Sequence, residues 1–138
     1  MTERTTEGPA PDRARLEGFF FRYGEALAAG DLKAISGCYA VPAFVLSDAA
    51  SRPVASRAEI EADFDGAAER HRAQGLVAAQ PTLVASEVLT EKLLSADVRW
   101  DYLDEEGRSA QQDSYRYVLR LDEDAGPQIC AVIATPGR

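Results

Sequence analysis

The stretch FFFRYGEALAAGDLKAISGCYA, residues 19–40, constrains the fold most. Two helix-forming runs are separated there by one Gly-Asp pair. Gly30 is suited to end the first run, because glycine enters the left-handed C′ conformation without a Cβ clash. Asp31 can then cap the next helix by accepting from its free N–H groups. Leu16, Phe19, Phe20, Tyr23 and Leu27 recur with helical spacing and form one apolar stripe. So tight a break turns two amphipathic helices against each other, with Tyr23 on the buried side. The spacing predicts a first helix capped by Asp12 and a second from about Leu32 to Tyr39. Pro42 is expected to end the second helix, because proline lacks an N–H and clashes with the preceding turn.

The segment AFVLSD, residues 43–48, reads as a strand, and Val54-Ala55 as a short return strand. Ser56 and Glu59 have the spacing of a capping box. They start a third helix with Ile60, Phe64, Ala67, Ala68 and His71 on its inner stripe, stopped by Gly75. From Leu76 onward the periodicity changes to strands. Four long ones are separated by Glu-Lys, Asp-Glu-Glu-Gly and Asp-Glu-Asp-Ala-Gly breaks. Pro81 belongs at a sheet edge or bulge, where a missing donor does no harm. Helices first and a strand meander last imply an α+β fold: three N-terminal helices on a curved, mostly antiparallel sheet.

The 138 residues suffice for one domain with a real core. The polar residues 1–11 read as a flexible tail and 12–138 as a single domain. A net charge of −8 opposes binding to nucleic acid or to anionic membranes, and no basic cluster overrides it. Cys38 and Cys130 lack metal-ligand spacing and read as small apolar fillers. No apolar run is long enough to span a membrane, and no signal peptide is evident, so the cytoplasm is the expected compartment.

Three segments carry a resemblance: YGEALAAGDL (23–32), SRAEIEADF (56–64) and DSYRYVLRL (113–121). With the element order, they make the chain similar to the nuclear transport factor 2-like superfamily over roughly residues 14–135. That resemblance implies a cone-shaped, cystatin-like roll around an apolar pocket. Phe19, Tyr39, Phe44, Leu46, Phe64, Trp100, Tyr102, Tyr115 and Tyr117 would line it. It also implies a homodimer through the outer sheet face, where Arg99, Asp101, Arg116, Val118 and Arg120 lie.

Within the superfamily, ketosteroid isomerase is the nearest catalytic template. There a tyrosine and a neutral aspartic acid donate to a developing oxyanion, and an aspartate acts as base. Tyr23 resembles that tyrosine. Asp113 resembles the oxyanion-hole acid, since it opens an Asp-x-aromatic-Arg-aromatic strand. Trp100 corresponds to the aromatic of the preceding strand. The base position falls on Ser47, which cannot abstract a carbon-bound proton at neutral pH, and Asp48 beside it is the candidate in its place.

Period-2 alternation puts Val98, Trp100 and Tyr102 on one face, and Asp113, Tyr115, Tyr117, Leu119 and Leu121 on one face of the next strand. Facing into a cone, Asp113 would sit in apolar company that favours its neutral, donating form. Two functions follow. One is binding of a small hydrophobic carbonyl or hydroxyl compound, extending to cofactor-free isomerase, cyclase or dehydratase chemistry. The other is a non-catalytic ligand-binding or dimerisation module. His71 reads as a helix-end residue favoured by the dipole, without a partner carboxylate at a fixed spacing. Asp63, Asp65 and Glu69 read as a solvated helix face. The acidic runs at 104–106 and 122–124 depart from the calcium-loop pattern and read as solubilising hairpin tips.

Overall fold

The computed structural model describes residues 12–135; the tail expected over 1–11 lies outside them. Asp12 caps α1 (Arg13–Ala29) by accepting from the Arg15 N–H at 2.9 Å. Gly30 closes α1 at φ 71°, in the left-handed region. Asp31 accepts from the Ala34 N–H at 3.2 Å and opens α2 (Leu32–Gly37). Leu16, Phe19, Phe20 and Tyr23 are buried along one side of α1. Burying a side chain of this size contributes about 1.5–3 kcal/mol each.

After α2 come β1 (Tyr39–Leu46), β2 (Ser51–Val54), α3 (Arg57–Phe64) and α4 (Ala67–Ala73). The last four strands are β3 (Ala78–Thr90), β4 (Leu93–Leu103), β5 (Ser109–Asp122) and β6 (Gly126–Thr135). They build one curved, open sheet in the order β2-β1-β6-β5-β4-β3. Neighbouring strands pair antiparallel throughout, except β1 and β6, which run parallel. The α+β architecture with helices over a curved, mostly antiparallel sheet is therefore the one expected. No helix among the described residues is long and apolar enough to cross a membrane.

Three local expectations are corrected. Tyr39 begins β1 instead of ending the second helix, because α2 stops at Gly37. Pro42 consequently lies inside β1. Its missing donor falls in a stretch where the β1–β6 ladder is interrupted between Tyr39 and Phe44. The third helix is two helices: Asp65 turns extended and Gly66 takes φ 80°, in the left-handed region, so α4 starts afresh. The capping box is also looser than its ideal. Ser56 accepts from the Glu59 N–H, while the Glu59 carboxylate reaches the N–H of Ala55.

Pro81 lies on β3, the edge strand. The two acidic tips organise their own turns. Asp104 accepts from the N–H groups of Glu106 and Arg108, and Asp122 from those of Asp124 and Ala125. Inside the fold, α1 crosses the sheet at Gly24. A Cβ there would stand 2.7 Å from the Ala79 carbonyl oxygen and 2.9 Å from Cζ3 of Trp100. Glycine at this position lets the helix approach the indole that forms one wall of the interior.

Candidate functional site

A cavity of about 340 Å³ opens between the helices and the concave face of the sheet. α1 contributes Tyr23 and Leu27, and β1 contributes Tyr39, Ala43 and Val45. α3 and α4 add Ile60, Asp63, Phe64 and His71, and β2 adds Arg52 and Val54. From the sheet come Trp100, Tyr102, Asp113, Tyr115 and Tyr117. Strand register explains this last group. Trp100 pairs with Asp113, Val98 with Tyr115 and Ala96 with Tyr117, so all six share one face.

The buried aromatic groups are hydrogen-bonded in pairs. The hydroxyls of Tyr23 and Tyr39 are 2.6 Å apart. Trp100 donates from Nε1 to the Tyr117 hydroxyl at 2.8 Å. The rings of Tyr23 and Trp100 meet edge to face, with centroids 5.9 Å apart. Burial pushes the Tyr23 and Tyr117 phenols well above the usual tyrosine range, and neighbouring phenols add to the effect. Burial raises Tyr39, Tyr102 and Tyr115 as well. For Tyr102 and Tyr115 the negative charge of Asp113 is the next cause. These side chains therefore stay protonated at neutral pH, and each keeps one hydrogen to donate.

Tyr23 and Asp113 stand on the wall of the same cavity. Among the described residues the Tyr23 hydroxyl bonds to Tyr39 and not to Asp113. Asp113 is half-buried and lies beside Tyr102 and Tyr115. The expected phenol and carboxyl are thus in one hollow, each with its own partners.

Asp48 is not in that hollow. β1 ends at Leu46, and Ser47 and Ala50 close a turn through reciprocal backbone hydrogen bonds, which leaves Asp48 exposed outside the cavity. Phe44 and Leu46 are also off the wall. Ala43 and Val45 point inward, so strand alternation sends their neighbours away, and Phe44 is 46% exposed. Phe19 is buried, but it packs edge to face on Phe20 in the core beside the cavity and not on its wall. Tyr39, Phe64, Trp100, Tyr102, Tyr115 and Tyr117 are on the wall.

The family model described as NTF2-like protein (DUF6841) matches residues 13–137. The chain belongs to this NTF2-like family. No curated protein matches it. Solved structures agree on the fold of the NTF2-like chain. A domain with a cystatin-like fold from Nostoc punctiforme aligns with TM-score 0.70 and 15% identity, over 95% of this chain and 80% of its own. An NTF2-like protein with a cystatin-like fold from Novosphingobium aromaticivorans gives 0.64 at 20% identity, over 92% and 84%. A Catenulispora acidiphila protein in complex with S-DNPA gives 0.61 at 15% identity, over 88% and 91%.

Three further polar groups stand on the wall of this NTF2-like cavity; of these the sequence places only His71 on an inward-facing stripe. Asp63, read as part of a solvated helix face, pairs with Arg52 at 2.9 Å. Both are 40–50% exposed, so the pair contributes about 0–1 kcal/mol. His71, read as a helix-end residue, faces Tyr102 with ring centroids 5.3 Å apart. Each comes from a separate element, and no local spacing links them. Among the described residues no group of three or more side chains could hold a metal ion.

Proposed function

We propose that this NTF2-like domain binds a compact, largely hydrophobic molecule carrying a carbonyl or hydroxyl group. The observation that supports this is the cavity of about 340 Å³, in which an apolar wall surrounds a few buried phenols. A small, mostly apolar enclosure with sparse polar groups is the usual form of a small-molecule site. The complex of the Catenulispora acidiphila protein with S-DNPA is consistent with ligand binding on this fold.

A thermal-shift screen of small carbonyl and hydroxyl compounds tests the reading, since a ligand of the native state raises apparent stability. Trp100 is the only tryptophan and stands on the cavity wall, so its fluorescence reports filling of the cavity. Hits should raise the midpoint and alter Trp100 emission together. A screen in which no compound does both overturns the proposal.

Cofactor-free isomerase, cyclase or dehydratase chemistry is the second reading. Asp113 and His71 favour it, since both can accept a proton and both stand on the cavity wall near Tyr102. Absence of turnover of every compound the protein binds would remove this reading, and turnover that survives Asp113→Asn and His71→Asn together would remove these two residues from it.

We also propose, from the family resemblance, that two copies pair through the outer sheet face. Arg99, Arg116 and Arg120 are exposed there. A monomer in sedimentation at micromolar concentration overturns the pairing.

A further inference from the structure

We infer that Tyr117, together with the Tyr23–Tyr39 pair, forms a subsite with two free phenol donors that selects a carbonyl oxygen on the ligand. This rests on the proposal that the cavity binds a small molecule, and it narrows which oxygen that molecule carries.

Tyr23, Tyr39 and Tyr117 are 3%, 5% and 3% exposed, so little of each is open to bulk solvent. Each phenol has one hydrogen to donate. Tyr23 and Tyr39 share a single hydrogen bond, and whichever donates, the hydrogen of the other remains. Tyr117 accepts from Trp100, so its own hydrogen remains too. Among the described residues neither remaining hydrogen makes a further hydrogen bond. Two buried O–H groups thus enter one cavity without partners, and leaving such groups unmet is costly.

The three phenols lie close together. The rings of Tyr23 and Tyr39 are 5.9 Å apart, and those of Tyr23 and Tyr117 are 6.3 Å apart. A carbonyl oxygen has two lone pairs and no hydrogen, so it can accept from both donors and demands nothing back. An alcohol oxygen can also accept, but it adds a hydrogen that needs an acceptor of its own, and the carboxylate on this wall, Asp113, already lies beside the Tyr102 and Tyr115 phenols. The N–H of Trp100 strengthens the effect. A hydroxyl that accepts a hydrogen bond becomes a better donor, and the same bond orients the Tyr117 phenol. Trp100 is therefore a positioning residue for Tyr117. Burial keeps both phenols protonated across the neutral range, which sustains the donor count.

Three probes of nearly one shape test this: acetophenone, 1-phenylethanol and α-methylstyrene, measured by calorimetry. The ketone should bind about tenfold tighter than the alkene, with the alcohol between them. Tyr117→Phe should remove most of the ketone's advantage and leave the alkene's affinity unchanged. The infrared carbonyl stretch of bound acetophenone provides a readout on the unaltered protein, should the variant fail to fold. It should lie below the frequency found in hexane. A hexane-like stretch, equal affinities for ketone and alkene, or an alcohol that binds as tightly as the ketone overturns the two-donor subsite while the binding reading stands. Failure of all three probes to bind at millimolar concentration overturns both.

Discussion

The phenol of Tyr23 on α1 and the phenol of Tyr39 at the start of β1 meet hydroxyl to hydroxyl at 2.6 Å. This contact ties the first helix to the sheet across the cavity. Both residues come from the stretch that also holds the Gly-Asp break, so one short segment supplies two walls of the site and the bond between them.

Removing one member of that pair should cost stability. Tyr23→Phe and Tyr39→Phe are each expected to lower the unfolding free energy by about 0.5–1.5 kcal/mol, the usual net value of a neutral hydrogen bond. The double variant should cost less than the sum of the two, because removing both partners orphans neither. Urea midpoints measure this, and strictly additive losses would show that the two hydroxyls are not coupled.

Alkaline pH should unfold the protein cooperatively. The five tyrosines all have folded-state pKa values above the ordinary value of 10.0, with burial the first cause. Above pH 10 the unfolded chain therefore binds fewer protons than the folded one. Stability is full below that pH and declines as the pH rises through and beyond it. Tyrosinate absorbance should appear together with loss of circular dichroism. Ionisation of Tyr23 and Tyr117 well before unfolding would contradict their burial.

Asp113→Asn should lower the pKa of Tyr102 and of Tyr115. Burial is the main cause of both shifts and remains in the variant, but the adjacent negative charge is removed. Carbon-detected NMR of the tyrosine rings can follow the onset of each titration below the alkaline unfolding transition. Unchanged values would place the carboxylate farther from the two phenols than the structure does.

Gly24→Ala should destabilise the fold despite its better helix propensity. Alanine gains about 1 kcal/mol over glycine in a helix interior. The new Cβ would stand 2.7 Å from a carbonyl oxygen and 2.9 Å from the Trp100 ring, and such overpacking typically costs 1–3 kcal/mol, roughly. A lowered melting temperature with altered Trp100 fluorescence is the expected result. A raised melting temperature would mean that α1 can shift without loss.

Local chemistry made much of this fold legible. Asp12, Gly30, Asp31 and Ser56 signal helix ends through side-chain acceptors and a left-handed residue, and each stands at a helix end. The alternation of Val98, Trp100 and Tyr102 locates the buried face of β4 correctly. The break at Gly66 was hidden because Ile60, Phe64, Ala67 and His71 keep apolar spacing across it. The fate of Asp48 was decided by where β1 ends, which a backbone turn at Ser47–Ala50 determines and no side-chain pattern announces. Arg52, Asp63 and His71 reach the cavity through tertiary packing of separate elements. Donors left over after pairing become visible only when each partner is known.

The parallel pairing of β1 with β6 has a consequence for how the chain is made. β6 sits between the first strands and the β3–β5 meander, so residues 126–135 join two halves of the sheet that are otherwise unpaired. On the ribosome, β1 and β2 must wait for residues 126–135 to emerge before they gain that neighbour. Such long-range closure slows folding and leaves an early strand edge open to wrong partners.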